Sequence, residues 1–464
     1  MCPQCTVVQE SGFVPKPAEI VEWYDKIWLV VNCNIHGSQE TLLTSNVPWF
    51  QKMWSATRTN IMEQSIEDIE DLKKRKRPKP QTMPIIVELP VYLNDVFLST
   101  DEIDSQLKKI QLTFPAGTDY ILKVSGKLSD DMAEMSKIVN YIHAKTDVYI
   151  LVQVSFERLI ILSKLEDSCF SKGRVFPSLK YYLKKGDEKQ CLDEIGMTFQ
   201  ALKVFDDMKI SVSILMEKPL ADLSSLLAYL RMQIGFVKFI EMIVERSPSH
   251  IKSSMKTVNT SQIPEPMQAS LRYERKNIYT DIIDPFELLK TIEEGTAKTI
   301  SESDFFPVSM GNALSPFLSI LGYGRFNINP SPFCGFGTIL VTSNEHFSVP
   351  FTRFLDFPKL YQELLPLLPE LKKGTEIPLT TLKKLKSIFS KCASPGVKVP
   401  NLISFITNPQ KIEEAKKIVD KSQLLIVHNH MDITNLDLAR RCQCAALLKN
   451  TDGPGFAACC NLYA

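Results

Sequence analysis

The sequence lacks three features that would assign it at once to a broad class of protein. It has no run of about 18 apolar residues, which a membrane-spanning helix requires. It has no surplus of one charge, because 54 basic and 53 acidic residues leave a net charge of +1, so no overall attraction to nucleic acid or anionic membranes is expected. The N-terminal MCPQCTVVQE has neither the basic start nor the apolar core of a signal peptide, and we therefore expect a cytoplasmic protein.

The motifs of a conventional hydrolase are also missing. The six histidines are scattered, and no Ser or Cys stands in a nucleophile motif. What is present is a globular composition, with 44% hydrophobic and 23% charged residues over 464 positions. A chain of this length and composition predicts two or three domains with a sizeable core.

Residues 1–60 are predicted to form a small metal-binding domain of the rubredoxin or zinc-knuckle kind. Cys2 and Cys5 form one C-x2-C pair, and Cys33 and His36 form a C-x2-H pair after a predicted strand. This spacing is typical of a tetrahedral Cys3His site for zinc or iron, which would supply folding energy to a small core. The alternative is unconnected thiols and a surface histidine.

Residues 61–83 are predicted to form a charged helix and linker, ending in the basic run 73–79. The run could be a patch for nucleic acid or nuclear import, but we interpret it as a solvated linker because it stands alone in a neutral chain and ends in prolines. Binding to nucleic acid is therefore not expected.

Residues 84–280 alternate predicted strands and helices, a pattern typical of an α/β fold with a parallel sheet, open or closed into a barrel. The first strand is Pro84–Leu89, with Ile85, Val87 and Leu89 in the core. Ser99 and Glu102 have the spacing of a capping box for the next helix. Chemistry in α/β folds is placed on the loop after such a strand, yet the loop of residues 90–99 holds no Cys, His or Gly. No strand is assigned in residues 167–189.

Residues 281–464 are predicted to form an α+β domain with a cysteine-rich tail. Four of the 11 cysteines lie at the end of the chain, and Cys334 precedes them in PSPFCGFGT. These thiols could hold a second metal or an iron–sulfur cluster, or they could be buried and exposed free thiols. The tail cysteines are Cys442, Cys444, Cys459 and Cys460.

Several of these segments together resemble radical S-adenosylmethionine proteins of the tetraether-synthase-like family. They are the N-terminal CPQC…CNIHG, the segment DPFELLKTIEEGTAKTISESDFFPV, PSPFCGFGT with VPFTRFLDF, and the closing HMDITNLDLARRC…DGPGFAACCN. Ser331 stands where the family usually has His. The tail positions that match the family are Asp432, Asn435, Asp437, Cys442, Asp452 and Cys459. The resemblance implies a partial (β/α) barrel of radical-SAM type, and it implies that Cys442 and Cys459 lie together with Cys334 as the third ligand.

The departures from the family fall where its chemistry should be. The resemblance implies a C-x3-C-x2-C loop after the first strand, whose thiolates hold the [4Fe–4S] cluster that binds S-adenosylmethionine, and no such motif occurs anywhere in the chain. The family's acidic turn after the second strand is replaced by residues 125–128, with Lys127 in place of the acid. We therefore expect neither S-adenosylmethionine binding nor classical radical chemistry.

Three functions are compatible with this pattern. The first is a catalytically degenerate homologue that acts as a scaffold, as the partner of an active homologue or as a ligand-binding subunit. The second is a metalloenzyme or iron–sulfur protein that uses the C-terminal cysteines, with the lipid or other apolar substrates that the resemblance implies. The third is a nucleic-acid-associated zinc protein.

Overall fold

The computed structural model describes the parts of the chain that form its helices, its strands and the turns beside them. The described residues are 18–34, 37–57, 86–93, 96–112, 119–126, 131–171, 173–183, 188–202, 208–216, 223–244, 277–279, 284–320, 326, 330–344, 347–371, 378–395, 413, 417, 419–431, 440, 444, 446–448 and 456–457. Among these residues, no helix is long and apolar enough to cross a membrane.

A small four-stranded sheet contains the N-terminal strands. Strands β1 (Ala18–Trp23), β2 (Lys26–Cys33) and β3 (Gly37–Thr44) form an antiparallel meander. Tyr24 and Asp25 connect the first two with φ angles of 52° and 54°, the conformation of a two-residue type I′ hairpin turn. A later strand, Asn277–Tyr279, pairs in parallel with β3.

Helix α1 (Val47–Thr57) attaches this small sheet to the rest of the molecule. The ring of Trp49 lies 4.8 Å from that of Phe336 and 5.6 Å from that of Phe286, both in the main core. Just before the helix, Ser45 donates from its backbone N–H and its hydroxyl to the Asp284 carboxylate, each at 3.0 Å. Asp284 also accepts from the backbone N–H of Phe286, so one buried carboxylate caps a later helix and anchors the N-terminal unit.

The main sheet contains thirteen strands of the described residues. They are β4 (Ile86–Leu93), β5 (Val96–Phe97), β6 (Ile121–Gly126), β7 (Tyr149–Val154), β8 (Val175–Tyr182), β9 (Ile210–Met216), β10 (Val237–Val244), β12 (Phe306–Pro307), β13 (Gly335–Asn344), β14 (Phe347–Pro350), β15 (Ser422–His428), β16 (Ala446–Leu448) and β17 (Phe456–Ala457), the segment 277–279 being β11.

Strands of the main sheet lie in the order β12-β13-β15-β10-β9-β8-β7-β6-β4-β16-β17, with β5 beside β4 and β14 beside β13. From β15 to β16 all neighbours are parallel, whereas β12, β13 and β17 are antiparallel to their neighbours. Because β4 and β6 to β10 follow one another without reversal, right-handed crossovers place their connecting helices on one face of the sheet. The order excludes the doubly wound arrangement, in which the order reverses and both faces carry helices.

Helices cover that face and pack on a continuous apolar core. The crossover helices are α2 (Thr100–Gln111), α3 (Met132–Lys145), α4 (Phe156–Ser163), α5 (Glu188–Leu202) and α6 (Ser224–Met232). Every second strand residue enters the core, as in β7, where Ile150, Val152 and Val154 are buried between less buried neighbours. Each fully buried aliphatic side chain of this kind contributes about 1.5–3 kcal/mol to folding.

The last third adds a second, smaller core beside the antiparallel end of the sheet. This part of the chain contains α7 (Pro285–Gly295), α8 (Ser315–Ile320), α9 (Phe357–Leu364), α10 (Leu379–Cys392) and the 3-10 turns Glu302–Asp304, Val308–Ala313, Phe351–Arg353 and Leu365–Glu370, and a further turn, Cys169–Ser171, lies between α4 and β8. Helix α7 packs on the main core, whereas α9 and α10 form the smaller core. Phe306 and Phe357 pack with ring centroids 4.2 Å apart at its centre.

The structure confirms the predicted α/β class and the parallel sheet. The capping box of α2 is confirmed, since Ser99 accepts from the Glu102 N–H and the Glu102 carboxylate accepts from the Ser99 N–H at 2.8 Å. Val87 and Leu89 are buried as predicted, and Ile85 lies outside the described residues. The first strand runs on to Leu93 instead of ending at Leu89.

Candidate functional site

The face of the main sheet opposite the helices carries polar side chains on seven neighbouring strands. Their chain neighbours are buried in the helix-side core, so alternation along each strand directs these side chains to the other face. We call this set the polar face. It consists of Glu88, Lys123, Ser125, Gln153, Ser178, Lys180, Ser211, Ser213, Glu241 and, from β15, His428.

An ion pair between Glu241 and His428 lies on the polar face. Glu241 of β10 and His428 of β15 approach to 2.8 Å between Oε1 and Nε2, and Ser213 of β9 donates its hydroxyl to the other carboxylate oxygen at 2.5 Å. The two paired side chains are 21% and 30% exposed, so the ion pair is largely buried yet reached by solvent. Both carboxylate oxygens of Glu241 are therefore occupied.

The surroundings hold the pair in its ionised form. Burial alone would raise the pKa of Glu241, but the charge and hydrogen bond of His428, the Ser213 hydroxyl and the charge of Lys123 together lower that pKa to about 2. Burial alone would lower the pKa of His428, and the Glu241 carboxylate outweighs it and raises the pKa. Each member of the pair therefore favours the charged form of the other.

This arrangement is not a nucleophilic triad. In such a triad the serine hydroxyl donates to the imidazole and the carboxylate orients the imidazole from the far side. Here Ser213 donates to the carboxylate, which lies between the hydroxyl and the ring. Within the described residues Ser213 is therefore not a hydroxyl that the imidazole could deprotonate, and the geometry suits binding and charge placement instead of acyl transfer.

Two cysteines lie beside His428. The imidazole hydrogen-bonds the backbone of Cys334, whose carbonyl also accepts from the N–H of Asn429 at 3.0 Å, and the thiol of Cys444 raises the pKa of His428. His430 lies 5.7 Å from His428 between ring centroids. Of the three cysteines predicted to share a C-terminal site, Cys334 thus lies at the polar face. Cys442 and Cys459 lie outside the described residues. Cys444, which has no counterpart in the family motif, is the tail cysteine that the structure places here.

The N-terminal metal site remains a prediction. Cys33 is buried, at 4% exposure, at the end of β2, and Gly37 pairs with it across the turn at a φ of 74°. Cys2, Cys5 and His36 lie outside the described residues. Within the part of the chain that the structure describes, no group of three or more His, Cys, Asp or Glu side chains has the arrangement of a metal site.

The segment after the first strand forms a hairpin. Tyr92 of β4 pairs with Phe97 of β5, and the two rings lie 4.9 Å apart. Residues 90–99 contain no thiol; Val91 is buried, Ser99 caps α2 and Val96 is exposed. An iron–sulfur cluster needs several thiolates, so these residues do not fit the cluster that the resemblance implies.

Two of the family-like segments in the last third meet in a structural cluster. Buried Asp304 accepts from the Thr352 hydroxyl at 2.5 Å and from the Arg353 guanidinium at 3.2 Å. It also accepts from the Ser301 N–H at 2.8 Å. Asp356 caps α9 by accepting from the Lys359 N–H at 3.1 Å. These acidic residues therefore hold loops and helix ends in place.

Most residues of the polar face are not among the site residues that the sequence predicted. No motif links Lys123, Ser213, Glu241 and His428, which are far apart along the chain. A signal was nevertheless present, because a single polar residue interrupts each apolar strand at alternate positions, as in ILKVSG, ISVSILM and VKFIEMIV. Such interruptions indicate a second face that is not packed in the core.

No family model matches the sequence. The chain is 25% identical over 199 residues to the 7,8-dihydro-6-hydroxymethylpterin dimethyltransferase of Methanocaldococcus jannaschii, a radical S-adenosylmethionine enzyme. The match covers 39% of this chain and 37% of the methyltransferase, so little more than a third of that protein's length is matched. The chain is thus distantly similar to a radical S-adenosylmethionine methyltransferase.

Proposed function

We propose that this chain is a catalytically degenerate relative of radical S-adenosylmethionine proteins and binds a ligand on its polar face. The observation that carries the proposal is a contrast within one sheet. The polar face keeps solvent-reached, ionised and hydrogen-bonding side chains, whereas the segment after the first strand has no thiol. A ligand-binding subunit, or the partner of an active homologue, needs such polar side chains but does not need thiols that bind a cluster.

The main sheet is proposed to curl into a partial barrel around the polar face. Strands β15 and β16 are the outer strands of the parallel part of the sheet, which has eight strands. The seven intervals between them would span about 34 Å in a flat sheet. Yet Cys444, two residues before β16, acts electrostatically on His428 of β15. Lys123 of β6 likewise acts on Glu241, four strands away. Both interactions are expected when the sheet is concave on this side.

Reductive cleavage of S-adenosylmethionine is not expected from this site. The cleavage depends on an iron of the cluster that is left open by three protein thiolates, and residues 90–99 supply none. Lys127 lies outside the described residues, but its charge has the same sign as the amino group that the family's acidic turn would hold. The cofactor would lose its anchoring iron and its carboxylate partner together.

A second candidate function is a metalloprotein that uses the C-terminal cysteines. It is favoured by the position of Cys334 and Cys444, which both lie beside His428 at the polar face. Together with Cys442 or Cys459, these groups would offer the thiolate and imidazole donors that zinc and iron prefer. The cytoplasmic location and the zinc or iron at the N-terminal site remain predictions, and nothing in the net charge favours a nucleic-acid partner.

Metal and acid-labile sulfide analysis of anaerobically purified protein distinguishes the two candidates. The degenerate-homologue proposal predicts no labile sulfide and about one zinc or iron per chain, which Cys33→Ala removes and the pair Cys334→Ala and Cys444→Ala leaves in place. Labile sulfide, or metal lost with the Cys334 and Cys444 substitutions, would contradict it in favour of the metalloprotein.

A further inference from the structure

Four uncharged polar side chains form a row across the polar face. Ser125, Gln153, Ser178 and Ser211 are register partners on four neighbouring strands, β6 to β9. Val124, Val152, Leu179 and Val212, which adjoin them in the chain, are all buried in the helix-side core. The four polar side chains therefore lie at one height, with about 4.8 Å between strands and about 14 Å from end to end.

None of the four side chains has a hydrogen-bond partner within the part of the chain that the structure describes. Ser178 and Ser211 are 6% and 7% exposed, and Ser125 and Gln153 are half-buried. No polar atom of the row is fully shut off from solvent. Buried polar groups in proteins are nearly always hydrogen-bonded, and the described part of the chain supplies no partner for this row, so its side chains are open to water or to a ligand.

The charges beside the row favour an anion. Lys123 precedes Ser125 by two residues, and Lys180, which is exposed, follows Ser178 by two residues on the same face. Glu241 is already paired with His428 and Ser213. Among the described residues of this face, Lys123, Lys180 and Glu88 are the charges without a close partner, and together they carry a net charge of +1.

We propose that the row binds a small hydroxylated anion, a polar molecule with several hydroxyl groups and one carboxylate or phosphate. This inference rests on the proposed function and deepens it by naming the ligand class. Hydroxyl groups spaced along the ligand hydrogen-bond the row, and Lys123 and Lys180 bind the anionic group. An alkyl chain would instead strip water from four polar side chains and return no hydrogen bond, so the apolar or lipid ligand that the family resemblance implies does not suit this surface.

Ligand-observed NMR with four probes tests the proposal on the full chain. Gluconate and glucose 6-phosphate are hydroxylated anions, glucose lacks the charge, and decanoate has the charge on an apolar chain. We expect the two hydroxylated anions to bind, glucose to bind more weakly and decanoate not to bind at this face. Gln153→Leu and Lys180→Ala should each weaken binding roughly fivefold to tenfold.

Lys108→Ala is the matched control, since Lys108 is an exposed lysine on α2, on the helix side of the sheet. It should leave binding unchanged. Lys180 is itself exposed, so its substitution tests the row even if Gln153→Leu lowers stability. Binding of decanoate in preference to gluconate, binding that neither substitution changes, or no binding of either hydroxylated anion would overturn the ligand class. The proposed function is tested by other measurements. Labile sulfide in the purified protein, or formation of 5′-deoxyadenosine, would contradict it irrespective of how the four probes bind.

Discussion

Substitution of His428 tests whether the charged pair on β10 and β15, at one end of the polar face, stabilises the protein. His428→Ala leaves the Glu241 carboxylate largely buried, with Ser213 and the more distant charge of Lys123 as its remaining support. Removal of one partner from a buried ion pair costs about 3–5 kcal/mol, and the partial exposure of both side chains places this pair at about 3 kcal/mol. The lowering of the Glu241 pKa from 4.5 to about 2 corresponds to a similar energy of about 3 kcal/mol.

The pH dependence of the free energy of unfolding identifies the two groups separately. The pKa of Glu241 is lowered by folding, so its contribution is present above pH 4.5 and is lost as the pH falls toward about 2. The pKa of His428 is raised by folding, so its contribution is complete below pH 6.5 and is lost as the pH rises through the raised value. The pair therefore stabilises the protein most between these two limits, at about pH 4.5–6.5.

Urea unfolding of the wild type and the variants between pH 3 and 9 measures both effects. His428→Ala should lower the free energy of unfolding by about 3 kcal/mol at pH 6, and the double variant Glu241→Gln with His428→Gln should be less destabilised because no unpaired charge remains. His143→Gln is the matched control, since that ring hydrogen-bonds a backbone carbonyl, that of Gly173, and no carboxylate of the described residues. Equal pH profiles for the wild type and the double variant would refute the ion pair.

Two further predictions concern the carboxylates that hold the last third together. Asp304→Ala should destabilise the protein by about 3 kcal/mol because it removes the acceptor of four hydrogen bonds. Arg353→Ala should cost less than about 1 kcal/mol because that side chain is half exposed, and equal losses in urea unfolding would contradict this assignment. Asp284→Ala should cost about 2–3 kcal/mol and Ser45→Ala about 1 kcal/mol, and limited proteolysis should show earlier cleavage near α1 in both, a change that Ser55→Ala on the same helix should not produce.

Local sequence patterns were sufficient to predict much of the sheet. Apolar runs such as ILKVSG and YILVQV predicted strands close to their observed bounds, and Ser99 with Glu102 predicted the start of α2. β8 was missed because its polar-face residues, Ser178 and Lys180, and its Pro177 break the apolar run. The strand exists because Val175 and Leu179 complete the helix-side core between β7 and β9.

The candidate site could not be predicted, because it depends on contacts between strands that are distant in sequence. Glu241 and His428 are brought together by the parallel pairing of β10 with β15, which no spacing rule describes. The family resemblance predicted a C-terminal site that includes Cys334, and the structure places His428 and Cys444 near Cys334. Pairing of Asn277–Tyr279 with β3 is likewise a long-range contact that the polar sequence around it did not indicate.

Assay of S-adenosylmethionine cleavage tests the central claim most directly. The protein is reconstituted anaerobically with iron and sulfide, reduced with dithionite and incubated with S-adenosylmethionine, and 5′-deoxyadenosine is measured against a blank without protein. Because residues 90–99 offer no thiolate to a cluster, we predict no 5′-deoxyadenosine above the blank. Formation of 5′-deoxyadenosine in an amount stoichiometric with the protein would contradict the account and show that ligands elsewhere in the chain hold a functional cluster.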